Sequence, residues 1–322
     1  MATAVATKKA PKKPTRKTKS FTAALIGNPN CGKTMLYNAL TGSNQYVGNW
    51  PGVTVEQKMG NIQNTDGKLV DLPGVFSLST YSIEEKISRD FALSNEPDIL
   101  VNILDGTNLE RNLYLTVQVL EIGKPTLVVI NMMDEVKKRG DRIDCEKMSH
   151  LLGVPVIPIS AKKNINIDVV QKELVRLADE RPIPPKVLYD PVTYKVIDKV
   201  TQILSEEENH HDIPFRFYAT KLVEDDNDCI ELLGLSADQC NRFNRIIEQY
   251  EHTSEFGDRQ TMISDARYLF IENLVKKTVE RKYSPGEMSL SDKIDRVVTN
   301  RWLGYPVFFG ELFIMFMLTF QT

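Results

Sequence analysis

One short run constrains this chain more than any other: GNPNCGKT at residues 27–34, set between an apolar run and a helical pattern. The spacing is G-x-x-x-x-G-K-[ST], and its meaning comes from the strand–loop–helix context. Gly27 and Gly32 let the backbone curl tightly. Between them stand Asn28, Pro29, Asn30 and Cys31, in a loop whose backbone N–H groups join those of the following helix end to make a cradle for phosphate oxygens. Lys33 adds a cation for the terminal phosphates and Thr34 a hydroxyl for a magnesium ion, with Met35 beside them in the first helical turn.

The pattern around the loop agrees with it. Residues 21–26, 69–72, 99–104, 126–130 and 156–159 are strand-length apolar runs, and 33–40, 83–93, 109–121 and 145–152 alternate with them as helices. This predicts an α/β fold, a P-loop nucleotide-binding domain with a mostly parallel sheet, over residues 21–184. Residues 54–64, followed by a Thr-Asp-Gly turn, predict an extra strand forming a hairpin with 69–72. The proline-rich stretch 181–185 ends the domain. Beyond it, helical spacing over 192–205, 215–224, 238–250 and 262–281, with no strand signal, predicts a small all-α helical domain over residues 185–284. Ser284-Pro285-Gly286 opens a linker, residues 285–301.

Residues 302–322 read WLGYPVFFGELFIMFMLTFQT. Such a run predicts the start of a first transmembrane helix, with Arg296 and Arg301 on the cytoplasmic side and Trp302 and Tyr305 at the interface. The competing expectation is a buried C-terminal helix. At the other end, residues 1–20 carry seven Lys or Arg and no acid, which predicts a disordered basic arm.

Composition removes several function classes. The formal net charge of -3 and the absence of a basic, aromatic platform argue against a nucleic-acid binder. Cys31, Cys145, Cys229 and Cys240 form no C-x-x-C pair, which fits a reducing compartment rather than a zinc or redox motif. The run Glu206, Glu207, Glu208, Asn209, His210, His211 fans around a helix instead of converging, and reads as a solvated helix end.

Three later motifs make the nucleotide a guanine one. Asp71, Leu72, Pro73 and Gly74 end a strand, where the acid suits a magnesium-bound water and the Gly74 N–H a γ-phosphate. Asn131, Met132 and Asp134 end another; Asp134 can accept from guanine N1–H and its 2-amino group, donors that adenine lacks. Ser160, Ala161 and Lys162 end a third and offer a backbone N–H to guanine O6. All stand at carboxyl ends of strands, where open α/β sheets bind ligands. Between the phosphate loop and the Asp71 motif lie Gly52, Val53 and Thr54, in the position of a first switch, with Thr54 as a second hydroxyl for magnesium. Val75 stands where a water-orienting glutamine is common. Glu84 and Glu85 follow it and read as exposed helix residues.

The chain resembles the bacterial ferrous iron transport protein B family, FeoB. The resemblance rests on GNPNCGKT, VGNWPGVTVE (residues 47–56), DLPG with YSIEEK (81–86), NMMD, SAK, ARYLFIENLV (266–275) and SDKIDRVVTNRWLGYPVF (291–308). It implies a GTP-hydrolysing domain, with Lys33 and Thr54 in the catalytic machinery, and a helical domain that influences GDP release. It also implies a membrane domain moving Fe2+ at the bacterial inner membrane, with this portion on the cytoplasmic side and small accessory proteins as partners. Asn30 corresponds to the residue that coordinates potassium in some members. The cofactors expected are GTP or GDP, Mg2+ and K+. The alternative is a soluble ribosome- or tRNA-maturation GTPase with a membrane-associating C-terminal helix.

Asp134→Asn should weaken GTP binding and favour xanthosine triphosphate, because the amide complements the xanthine 2-oxo group. A competition titration that finds guanine preference unchanged removes Asp134 from the site.

Overall fold

The structure, a computed structural model, describes residues 20–42, 45–79, 81–185, 189–206, 214–226, 228–253, 259–282 and 304–320. The basic arm before Ser20, the break at 284–286, the 285–301 linker, Trp302 and the 207–211 part of the acidic run lie outside them.

The first domain runs β1 (Phe21–Gly27), α1 (Lys33–Thr41), β2 (Gln45–Asn49), β3 (Glu56–Asn61), β4 (Gly67–Asp71), α2 (Ile83–Leu93), β5 (Ile99–Asp105), α3 (Leu109–Glu121), β6 (Thr126–Asn131), α4 (Met133–Arg139), β7 (Arg142–Ile143), α5 (Cys145–Leu152), β8 (Val156–Pro158) and α6 (Ile167–Glu180). Seven strands form one sheet in the order β2-β3-β4-β1-β5-β6-β8. The five from β4 to β8 are parallel, and β3 pairs antiparallel with both β4 and β2. β5 and β6 read as continuous apolar runs because helices cover both faces of the sheet, and their residues are almost all buried.

Four elements here, β2, α4, β7 and α6, escaped the sequence reading. β2 is a polar, exposed edge strand with no burial alternation to betray it. It adds a third strand to the expected hairpin, whose first strand is shorter than 54–64. α4 is short. α6 was legible: Ile167, Val170, Leu174 and Leu177 are its buried stripe at helical spacing.

The helical part comprises α7 (Pro191–Leu204), α8 (Phe215–Val223), α9 (Asp228–Leu233), α10 (Ala237–Thr253) and α11 (Arg259–Thr278). Asp190 caps α7 by accepting from the Val192 and Thr193 N–H groups, with Pro191 at the first helical position. α7 packs on α8 and α10, and α11 packs on α3 and α5 of the first domain. The expectation of no strand beyond residue 181 is corrected. After α11 the chain forms β9 (Val279–Glu280), paired antiparallel with β7. Two residues are too few for a periodic signal, and their partners are 136 and 138 positions away, Ile143 for Val279 and Arg142 for Glu280.

Of the acidic run, Glu206 is exposed and bonded by both terminal nitrogens of Arg242, at 2.5 and 2.6 Å. α12 (Gly304–Phe320) has 17 residues, about 26 Å at 1.5 Å per residue, with Phe308, Phe309, Phe313 and Phe316 exposed. Among the described residues no helix is long and apolar enough to cross a membrane.

The two domains meet at a buried charge cluster. Arg267 on α11 is fully buried and donates to Glu121 of α3 at 3.1 Å and to Glu224, just after α8, at 2.6 Å. Tyr189, in the segment before α7, donates its hydroxyl to the same Glu121, and Arg267 also bonds the Tyr114 hydroxyl at 3.3 Å. Burial alone would raise the Glu224 pKa, but Arg267 and Lys221 outweigh it and hold it at about 2.

Arg267→Met should therefore leave the buried Glu121 without its counter-charge and Glu224 with Lys221 alone, and cost about 3–5 kcal/mol at neutral pH. Glu224, ordinarily near 4.5, contributes stability above that pH and loses it as pH falls through about 2. Denaturant unfolding across this range should show the difference between wild type and variant shrinking with acid; a difference independent of pH contradicts the assignment.

Candidate nucleotide site

β1 ends at Gly27, and α1 begins at Lys33 with no side-chain cap on its leading N–H groups. The loop between them uses left-handed backbone at Asn30 (φ 66°) and Gly32 (φ 90°). At Gly32 a Cβ would also strike the side-chain amide of Asn131, so only glycine fits. Asn28 is buried, with neither side-chain polar atom hydrogen-bonded. An amide so placed favours a polar partner inside the loop.

Across the sheet, Lys33 Nζ lies 2.5 Å from Asp71 Oδ1 and also donates to the Leu72 carbonyl. Burial raises the Asp71 pKa, and the Lys33 charge opposes that rise. Residues 71–75 are clipped to the phosphate loop side of the sheet: the Leu72 N–H donates to the Leu25 carbonyl at 3.0 Å and the Val75 N–H to that of Gly27 at 3.2 Å. Gly74 lies against Pro29, which follows from this clip. The Val75 side chain is buried. Thr34, Met35, Asn30, Gly52 and Thr54 are exposed, and Val53 is half-buried. The structure thus brings Lys33, Asp71 and Leu72 into direct contact, while Thr54 stands on the loop before β3 without a side-chain hydrogen bond among the described residues.

The loops after β6 and β8 are tied to the phosphate loop by Asn131, the last residue of β6. Its buried amide donates to the Cys31 carbonyl at 2.9 Å, and its Oδ1 accepts from the Ala161 N–H at 2.9 Å. The Ala161 N–H, one of the donors expected to face guanine O6, is therefore already bonded. Met132 takes left-handed backbone (φ 62°) to cap α4, and this sets the direction of Asp134. The Asp134 carboxylate accepts from Ser160 Oγ at 2.9 Å and faces Lys163 Nζ at 3.3 Å. The Ser160 hydroxyl bond holds its pKa below the usual range against the opposing effect of burial, and Lys163 assists. Lys163 was missed in the sequence, where SAKK offers two adjacent lysines and no spacing argument between them; Lys162 is exposed. A cavity of about 610 Å³ runs from Asp134, Ser160 and Lys163 to Ile143 and Cys145.

Two contacts show how the segments beside the site are held. Glu85 is half-buried, correcting its reading as an exposed residue: its carboxylate accepts from Ser77 at 3.1 Å and Ser79 at 2.7 Å, and its N–H bonds Ser82 at the start of α2. The S-x-x-E spacing of a capping box was there to be seen. Trp50 is buried, edge-on to Phe91 of α2 with ring centroids 5.2 Å apart, so the first-switch loop is anchored to the helix after Asp71.

Residues 21–174 match the sequence profile of the family described as ferrous iron transport protein B, and residues 189–280 match that of the FeoB cytosolic helical domain. The chain is 38% identical over 307 residues to the Fe(2+) transporter FeoB of Legionella pneumophila, covering 92% of this chain and 38% of that protein. It is 35% identical over 309 residues to the Fe(2+) transporter FeoB of Escherichia coli, covering 93% and 38%. Against a Fe(2+) transport protein A/Fe(2+) transporter FeoB fusion protein of Porphyromonas gingivalis the identity is 38% over 313 residues, covering 92% and 36%. The chain thus spans little more than a third of the length of these relatives. Among solved structures, a GDP-bound variant of the S. thermophilus FeoB G-domain aligns with a TM-score of 0.77 and 39% identity, covering 81% of this chain and all of that one. NFeoB from S. thermophilus bound to GDP·AlF4− and K+ aligns at 0.71 and 40%, covering 80% and 99%. The cytosolic domain of L. pneumophila FeoB aligns at 0.68 and 36%, covering 81% and 100%.

Asn131→Ala should strand the Cys31 carbonyl and the Ala161 N–H, costing about 2–4 kcal/mol of stability and at least about tenfold in GDP affinity, since each 1.4 kcal/mol is tenfold. Denaturant unfolding and a fluorescent-GDP titration measure the two. Unchanged affinity would mean that the loops hold their places without the tie.

Proposed function

The chain belongs to the ferrous iron transport protein B family, and on that premise we propose that it is the nucleotide-hydrolysing portion of a transporter for Fe2+, facing the cytoplasm at a bacterial inner membrane. It is a GTPase, turning GTP into GDP and phosphate. The observation that carries the reading is the Asn131 tie, which holds the phosphate loop and the base-reading loops as one buried hydrogen-bonded unit. The fused A-and-B relative supports a small accessory protein as partner. The exposed aromatic residues of α12 support contact with lipid or with a membrane domain. A soluble role in RNA maturation is not favoured, because both matching families are those of the transporter.

Each residue of the site has a physical task. The loop N–H groups and Lys33 bind the phosphates and stabilise negative charge that develops as the β–γ bond breaks. Lys33 exchanges its Asp71 partner for phosphate oxygens, which leaves the carboxylate for a cation. Thr34, Thr54 and Asp71 are hard oxygen donors that fit Mg2+, and the ion when bound supplies charge neutralisation across the phosphates. Asp134, oriented by Ser160, accepts from the guanine edge. Val75 is buried and apolar, so no side chain at that position orients water, and intrinsic turnover is slow. Backbone N–H groups around Gly52, Thr54 and Gly74 take over that task.

Asn30 is exposed at the phosphate loop, where its carbonyl oxygen is available to a monovalent cation. The S. thermophilus relative solved with GDP·AlF4− and K+ supports potassium in that role. Steady-state phosphate release should be faster in potassium chloride than in matched sodium chloride, and Asn30→Ala should abolish the difference while leaving GDP affinity nearly unchanged. Equal rates in the two salts would exclude the cation route.

A further inference from the structure

We propose that the two-stranded sheet of β7 and β9 is a positioning element for Asp134, which makes the segment leading out of α11 a determinant of how tightly guanine is held. The proposal rests on the reading of Asp134 as the residue that meets the base.

Asp134 is the second residue of α4, a helix of seven residues whose sole buried side chain is Val136. A helix this short has little stability of its own, so its direction is set by what holds its two ends. At the leading end the Met133 N–H donates to the Ile159 carbonyl at 3.2 Å. At the trailing end Arg139 reaches the Thr107 carbonyl at 3.2 Å from an exposed position, and the chain then turns at Gly140 directly into β7. Gly140 has φ 84°, and a Cβ there would meet the Lys282 side chain.

From this turn onward the chain is stitched to the end of the helical domain. Arg142 pairs with Glu280 and Ile143 with Val279. The Asp144 N–H donates to the Thr278 carbonyl at 2.8 Å, and the Lys282 N–H donates to Asp141 Oδ1 at 3.0 Å. Arg281 adds an ion pair with Glu110 of α3 at 2.8 Å. Five successive residues, Thr278 to Lys282, thus each contact the first domain. The same cavity that opens at Asp134 is also lined by Met133, Asp141 and Ile143, which gives the helix room to shift when the stitch opens. The coupling is reciprocal by thermodynamic necessity: if the stitch favours guanine binding, guanine binding favours the stitch.

The test uses the full chain. Glu280→Pro removes a strand N–H, and Asp141→Ala removes the acceptor for Lys282. Asp141→Asn keeps an oxygen at that position and serves as the conservative rescue. Dissociation of fluorescent GDP should be about fivefold to tenfold faster in the first two variants, the equivalent of one net hydrogen bond, and close to wild type in the third. IDP, which lacks the 2-amino donor that faces Asp134, should be affected less, so the preference for GDP over IDP should fall. Hydrogen exchange at the Asp144 and Lys282 amides should slow when GDP is added to the wild type. Melting temperatures identify any variant that is merely unstable. Equal loss of GDP and IDP, or a lowered melting temperature with the GDP-to-IDP preference intact, overturns the proposal. Asp134→Asn is run in parallel: if it leaves guanine preference over xanthine unchanged, the underlying reading fails, and if it shifts that preference while the stitch variants do not, the positioning role alone fails.

Discussion

Arg267 is the residue on which the arrangement of the two domains depends. A guanidinium with no exposed surface is tolerated only where its donors and its charge are matched. The matching groups come from α3, from the end of α8 and, through Tyr189 on Glu121, from the segment between the domains. Apart from the Lys221–Glu224 pair at the end of α8, these contacts join different elements. The cluster therefore fixes how the helices after residue 189 sit against α3, and with that it fixes where α11 ends and where β9 can meet β7.

That placement matters because the nucleotide site is made of loops, and loops need anchors. The parallel strands β1, β6 and β8 and the antiparallel hairpin ending in β4 deliver the loops to one edge of the sheet. Strand geometry brings them close without fixing their relative positions. Asn131 supplies the missing constraint with two buried bonds, one to the phosphate loop and one to the loop after β8. Ser160 then orients Asp134, and Trp50 against Phe91 secures the first-switch loop to α2. Each anchor is a single side chain joining two loops far apart in sequence. The loops are consequently held as one unit, in which removing one anchor frees the segments on both sides of it.

Much of this was readable in the chain. The strands at 21–27, 99–105 and 126–131 announce themselves as nearly continuous apolar runs, because a parallel sheet covered on both faces admits a polar residue only where, as at Asn102, it is hydrogen-bonded. Helices at 83–93, 109–121 and 145–152 carry the 3.6-residue period of a half-buried surface. What went unread was of two kinds. β2 and β9 are too short or too exposed to leave a periodic trace, since backbone pairing rather than side-chain burial defines them. Glu85 and Lys163 have ordinary surface sequence contexts, and their partners are settled by which side chains face them.

The sequence by itself determined the fold class, most of the helices and strands of the first domain and the phosphate loop. Those follow from local rules: glycine where the backbone must turn left-handed, apolar runs where both faces are covered, charge where a strand ends. Only the tertiary structure decided that Lys33 faces Asp71, that Asn131 binds two loops at once, that Arg267 is sealed between two glutamates and that β9 returns to β7. Each is a contact between residues far apart in the chain. Its formation depends on loop closure and shared burial, quantities that belong to the folded arrangement and have no counterpart in any local stretch of sequence.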